Sequence, residues 1–325
     1  MYKLLLTTLL FSASALSAEP APAAKIDPDR ITVSGISAGG MMAHQLHIAY
    51  SDLFSGAGII ASGPFGCADG TLATAMARCM GSSDIPIPVS DLAESIRTAQ
   101  AQGLVADTEN LADDPVWLFH GTLDSTVAAG VSDATAALYA ELAPAAQISY
   151  VNTVAAGHNF PTNGHGGDCT ALKAPFVGDC DFDAAGAILQ YLYPGVETPD
   201  SEAVTPLQTV TLAGAAEAGL SDIAYLFVPP ACAGDGHACA LHLVMHGCAQ
   251  SAVQVGTDFI QESGYLAWAE ANDIVLAFPQ VLTGNLNPYA CWDWWGYTGA
   301  DYRWRTGKQM QVVTDWIRQL SLPQD

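Results

Sequence analysis

The stretch Ile31-Thr32-Val33-Ser34-Gly35-Ile36-Ser37-Ala38-Gly39-Gly40 constrains the fold more than any other part of the chain. A short β-branched run enters Gly-x-Ser-x-Gly and passes directly into the helical pattern Met41-Met42-Ala43-His44-Gln45-Leu46, so Ser37 falls where a strand turns sharply into a helix. In such a turn the flanking glycines permit a strained backbone and close packing, and the seryl oxygen projects outward. The helix N-terminus adds backbone N–H groups suited to a developing oxyanion. The same spacing arises by chance in Gly- and Ser-rich chains as an ordinary turn; here the strand before it and the helix after it favour a nucleophile elbow. The helix, expected from about 38 to 50, carries His44 and His47. With no His-Glu-x-x-His pattern or carboxylate partner, these read as helix-surface or core histidines, not metal ligands.

Two further groups follow strand ends. Pro115 to Phe119 is an apolar run of the buried parallel type, and Asp124 lies a few residues beyond it; Gln147 to Ala155 is a second such strand, followed by Gly157-His158. Taken singly, these are a capping aspartate and a loop histidine. Taken together, Ser37, Asp124 and His158 occur in the order, and at the strand ends, of a Ser, Asp, His triad on an α/β-hydrolase sheet. Residues 64 to 114, with a cysteine loop, Ile85-Pro86-Ile87-Pro88 and a helix near 91–102, read as a lid or insertion.

A helix at 182–193 would normally close such a fold, yet more than a third of the chain follows. It reads as strands at 207–212, 224–228 and 241–245, the last running into His246-Gly247-Cys248, then a helix, a strand at 274–278, a Trp-rich loop and a final helix at 306–320. A His-Gly segment after a strand is where this fold places its second oxyanion donor, but that segment ordinarily precedes the elbow. A circular permutation reconciles the order, and it requires the last helix to lie beside the opening strand. The expected fold is therefore α/β, a mostly parallel central sheet with the elbow moved near the N-terminus. The expected organisation is a signal peptide at 1–18, a flexible leader at 19–26 and one catalytic domain at 27–325.

Half of the 325 residues are hydrophobic and 13% are charged, which describes a packed globular chain. The formal net charge of -23 repels phosphate backbones and anionic bilayers, so neither a nucleic acid nor a membrane is expected as partner. Lys3, the apolar run Leu4–Phe11 and small residues up to Ala18 form a secretory signal, which places the protein outside the cytoplasm. Eight cysteines, Cys67, Cys79, Cys169, Cys180, Cys232, Cys239, Cys248 and Cys291, include no Cys-x-x-Cys and read as disulfides in an exported chain. Their connectivities number on the order of a hundred; pairing of sequence neighbours is the expectation taken here. A metal site at His165, Asp168 and Cys169 lacks a second ligand pair at zinc spacing, and no metal or cofactor is expected.

With these residues in view, the set Gly35-Ile36-Ser37-Ala38-Gly39-Gly40-Met41, His120-Gly121-Thr122-Leu123-Asp124, Gly157-His158, His246-Gly247-Cys248 and Cys291-Trp292-Asp293-Trp294-Trp295 resembles, in permuted order, the single-domain extracellular poly(3-hydroxybutyrate) depolymerases. The resemblance implies a serine esterase acting on a polyester polymer or its oligomers through an acyl-enzyme. Ser37 would be nucleophile, His158 base and then acid, Asp124 its orienter, and the amides of Ala38 and Cys248 the oxyanion hole. It further implies a Cys248–Cys291 disulfide holding that hole beside the Trp-rich loop. Of the aromatic cluster there, Trp292 and Trp304 are taken as substrate-binding. Feruloyl and acetyl esterases share parts of the His-Gly-Cys and Cys-Trp pattern and are the alternative. Many bacterial depolymerases that attack solid polymer carry a linker and an adsorbing domain. None is read here, so adsorption by the catalytic surface or use of soluble oligomer is expected. A non-catalytic binding module is disfavoured by the full set of competent residues.

Overall fold

The computed structural model describes residues 24–81, 85–234 and 236–322. The signal segment at 1–18 lies outside them. The strands are β1 (Ile26–Ile36), β2 (Ala57–Ile60), β3 (Pro115–Phe119), β4 (Gln147–Val151), β5 (Phe160–Thr162), β6 (Gly167–Asp168), β7 (Val177–Asp179), β8 (Gln208–Thr211), β9 (Ile223–Phe227), β10 (Cys239–Met245) and β11 (Ile274–Phe278). The α-helices are α1 (Ala38–Ala49), α2 (Leu72–Thr74), α3 (Val89–Ala101), α4 (Ala129–Leu142), α5 (Ala184–Leu192), α6 (Ala252–Val255), α7 (Asp258–Glu262), α8 (Tyr265–Ala271) and α9 (Lys308–Ser321).

Eight strands form one sheet in the order β4-β3-β2-β1-β10-β11-β9-β8, while β5, β7 and β6 make a small separate sheet. In the large sheet β9 alone runs against its neighbours, pairing antiparallel with β11 and β8. The opening strand β1 is held between β2 and β10, parallel to both. Strands from the two halves of the chain thus share one ladder, and α9 packs on β1, as the permuted connectivity requires. The chain enters the fold slightly earlier than the expected leader boundary: Ala24 is buried and bridges Ala233, and Ile26 pairs with Cys239.

Alternation along the strands divides the core in two. Ile31, Val33, Leu241, Leu243 and Met245 face one layer, packed with α1, α3, α4 and α9. Ile36, Val244, Leu276 and Phe278 face the other, under α5, α7 and α8. Helix α1 is buried along its whole length, which suits its nearly continuous small and apolar sequence. By contrast α9 buries Met310, Val313, Thr314, Trp316, Ile317 and Leu320 on one face and exposes Gln311, Asp315, Arg318 and Gln319 on the other. The segment expected to be a lid is divided: α3 belongs to the helical layer, and the stretch from 64 to 80 arches over the C-terminal edge of the sheet.

The sulfurs pair as Cys67–Cys79, Cys169–Cys180, Cys232–Cys239 and Cys248–Cys291. His44 and His47 are wholly buried. His44 Nδ1 accepts the Phe65 amide, and His47 links the Tyr139 hydroxyl (2.8 Å) to Asp114 (3.0 Å). Cys169, being disulfide-bonded, offers no thiolate to His165 and Asp168.

Candidate active site

Strand β1 ends at Ile36 and α1 begins at Ala38, which leaves Ser37 alone in the turn at φ 56°, ψ -122°. A non-glycine residue holds this left-handed conformation only where its surroundings enforce it. Here they do so by close approach. A Cβ on Gly35 would stand 2.3 Å from the Gly39 carbonyl oxygen, and one on Gly39 would stand 2.2 Å from that of Met245. The backbone of Ser37 is tied at both sides, its N–H to Ile60 and its carbonyl to the Met41 amide, each at 2.9 Å.

The loop after β3 carries Asp124, whose side chain is fully buried. Its Oδ1 accepts the amides of Thr126 (2.8 Å) and Val127 (2.9 Å), and its Oδ2 accepts His158 Nδ1–H at 2.7 Å. Burial drives this carboxyl's pKa upward, but the His158 hydrogen bond and charge and the two amides outweigh it and hold the group below the usual carboxylate range. With Nδ1 committed as donor, His158 presents Nε2 as its basic nitrogen. The two loops are sewn together by Thr122 N–H to Val154 and Leu123 N–H to Ala156, and Gly157 N–H is bonded to Cys169 beside its disulfide. His120 adds a hydrogen bond from Nε2 to the Val127 carbonyl, bracing the aspartate turn.

The structure therefore joins Asp124 to His158 directly and sets Ser37 on the same C-terminal edge of the sheet. Among the described residues the Ser37 hydroxyl makes no hydrogen bond to the imidazole. The segment His246–Cys248 follows β10 and crosses beside the serine: a Cβ on Gly247 would lie 3.4 Å from that of Ser37. Neither the Ala38 nor the Cys248 amide donates to another group among the described residues.

Ser37, Ala38 and Cys248 open onto a cavity of about 430 Å³, walled chiefly by Met76, Met80, Trp294 and Trp295. The expected aromatic contacts are corrected. Trp292, next in sequence to the Cys248–Cys291 disulfide, is wholly buried and packs against the His246 ring, centroids 5.4 Å apart, so its surface is taken up in the core and none is left for substrate. Trp304 lies against Phe65 under the Arg303 guanidinium and lines no part of this cavity. Trp294 and Trp295 take their place, in a T-shaped pair at 5.4 Å. The signal for them was Asp293, whose buried carboxylate accepts the amides of Trp295, Gly296, Tyr297 and Thr298 and the Thr298 hydroxyl, so the chain must curl around it.

The sequence profile of the prolyl oligopeptidase family matches residues 18–180. A poly(3-hydroxybutyrate) depolymerase of Delftia acidovorans is 41% identical over 306 residues, 92% of this chain; the chain spans 61% of that relative's length. A polyhydroxybutyrate depolymerase of Talaromyces funiculosus is 32% identical over 327 residues, covering 95% of this chain and 94% of its own. A solved PHB depolymerase with a serine-to-alanine substitution, complexed with R3HB trimer, superposes with a TM-score of 0.86 at 29% identity, covering 93% of this chain and 99% of that one. The elbow, the Asp–His pair and the permuted sheet are in keeping with these relationships, and the chain belongs to the polyhydroxybutyrate depolymerase family.

Proposed function

We propose that this chain is a secreted serine esterase, one catalytic domain from about residue 24 onward, that cleaves poly(3-hydroxybutyrate) or related short-chain polyhydroxyalkanoates and their oligomers. The observation that carries the reading is Ser37 in the wall of an apolar cavity that Ala38 and Cys248 also line, with backbone N–H groups of both that find no hydrogen-bond partner among the described residues. His158 Nε2 takes the seryl proton as Ser37 attacks the ester carbonyl, and Asp124 supports the imidazolium that results. The Ala38 and Cys248 amides receive the oxyanion, the alcohol departs with the proton from His158, and water releases the acyl group by the reverse transfers. Leu72, Met76, Leu286 and Tyr289 are exposed at the cavity, an apolar rim suited to an aliphatic polyester. Four disulfides and the N-terminal signal suit an oxidising, extracytoplasmic setting, and no helix among the described residues is long and apolar enough to cross a membrane.

Ser37→Ala tests the reading. Hydrolysis of hydroxybutyrate trimer and of polymer granules, followed by release of 3-hydroxybutyrate and its dimer, is expected to fall by more than about a thousandfold. Retained hydrolysis would end the proposal. Methyl ferulate in the same assay distinguishes the aromatic-ester alternative, which predicts faster turnover of the ferulate than of the trimer.

A further inference from the structure

Three methionines, Met41, Met76 and Met80, line the cavity that holds Ser37. Met41 comes from α1, and the other two from the segment over the sheet edge, where a π-helical turn (Ala75–Cys79) continues α2. Leu72, Met76 and Met80 recur every four residues, a spacing that sets side chains on one face of a helical turn, and all three line the cavity. The Cys67–Cys79 disulfide and the Arg78 guanidinium, which donates to the Cys67 carbonyl, tie this segment across its base.

The sulfurs differ sharply in their access to solvent. Met42, Met245 and Met310 are wholly buried, Met41 is 4% exposed and Met80 partly so, whereas Met76 is 49% exposed. Met76 is thus the one exposed methionine among the described residues, and it stands on the catalytic cavity. All eight cysteines are paired, so no thiol competes with it for an oxidant. Oxidation of sulfur follows exposure, which puts the most reactive thioether of the fold where substrate passes.

We infer that Met76 is the oxidation site of this esterase: a peroxide converts its thioether to the sulfoxide, and the change weakens substrate binding while the reacting groups stay intact. One peroxide oxygen bonds to Sδ, the O–O bond breaks, and the other oxygen leaves as water once it takes up the proton of the first. Sulfur loses two electrons and the peroxide gains them. The product carries a polar S=O group on a wall otherwise built of Leu72, Met80, Trp294 and Trp295, where an aliphatic ester makes apolar contact. Ser37, Asp124 and His158 contain no sulfur and are unchanged by the step. The inference rests on the serine-esterase reading above.

Treatment of the whole protein with graded hydrogen peroxide, stopped with catalase, tests this by peptide mass mapping and by hydrolysis of soluble hydroxybutyrate trimer. Met76 is expected to gain one oxygen before Met41 or Met80 does. KM should rise about three- to tenfold in step with that gain, with kcat within about twofold of the untreated value. Methionine sulfoxide reductases should return KM to its starting value. Met76→Leu, compared with its own untreated state, should show no rise at a dose that fully oxidises Met76 in the parent. Another methionine oxidised first, an unchanged KM with Met76 fully oxidised, or an equal rise in Met76→Leu overturns the inference. A loss confined to kcat overturns it too, since that places the damage at the reacting groups. Hydrolysis surviving in Ser37→Ala removes the esterase reading and the inference with it, and the mass map, which needs no activity, tells the two failures apart.

Discussion

Ser37 can occupy its left-handed turn because two neighbours have no side chain, and this makes the elbow sensitive to a single methyl group. The Cβ of Gly39→Ala would stand 2.2 Å from the Met245 carbonyl, so strand β10 and the His246–Cys248 segment behind it would have to move away from the serine. Both stability and turnover are expected to drop, by several kcal/mol and by at least about a hundredfold, since displaced backbone cannot be accommodated by a rotamer change. Denaturant unfolding and ester hydrolysis check this; a variant as stable and active as its parent would contradict the contact. The elbow glycines, Ser37 and the Asp124–His158 pair stood out along the chain as candidates because local chemistry marks them: an elbow needs small residues, and open α/β sheets place acid and base candidates just past strand ends. The burial of His246 and Gln250 beside the elbow was not legible, since their hydrogen-bond partners lie 35 and 75 positions away.

At the scale of elements, the Trp-rich segment between β11 and α9 shows how a loop becomes a wall. Asp293 gathers four amides and a hydroxyl, its carbonyl accepts the Gln45 side chain of α1, and its amide donates to Gln309 of α9. Two helices from opposite ends of the chain thereby hold Trp294 and Trp295 over the cavity. Trp295→Ala is expected to lower kcat/KM for hydroxybutyrate trimer by about tenfold, the value of lost apolar contact, and to affect a small acetyl ester much less. Equal losses on both esters would place this ring outside the substrate's path. The composition of the loop announced aromatic packing, but it did not distinguish rings that face the cavity from Trp292, which faces the core.

Across the whole molecule, buried neutral histidines couple the fold to pH. Burial lowers His242 to about 3 and His246 to about 4, and burial together with the neighbouring His47 lowers His44 to about 3. The unfolded chain protonates histidine near 6.5, so below that pH the unfolded state binds more protons than the folded state and stability falls. Their full contribution is present above pH 6.5 and is lost progressively toward pH 3, at roughly 1.4 kcal/mol per pH unit for each histidine. The melting temperature is expected to be level above pH 7 and to decline by roughly 5–10 °C per pH unit between 6.5 and 4. A melting temperature unchanged down to pH 4 would refute this. His242 shows why the group tolerates burial: its two nitrogens sit 2.6 Å from the Thr32 hydroxyl and 2.8 Å from that of Ser34, inside the sheet layer.

The order of elements, the position of the elbow and the need for a permuted hydrolase topology followed from the sequence alone, because strand, helix and turn propensities act over a few residues and hydrophobic period shows which face is buried. The course of the His246–Cys248 segment beside the elbow and the identity of the rings that wall the cavity were decided only when distant segments closed on one another. Such features are set by packing geometry and by the requirement that every buried polar group find a partner, and no local pattern along the chain encodes which partner that will be.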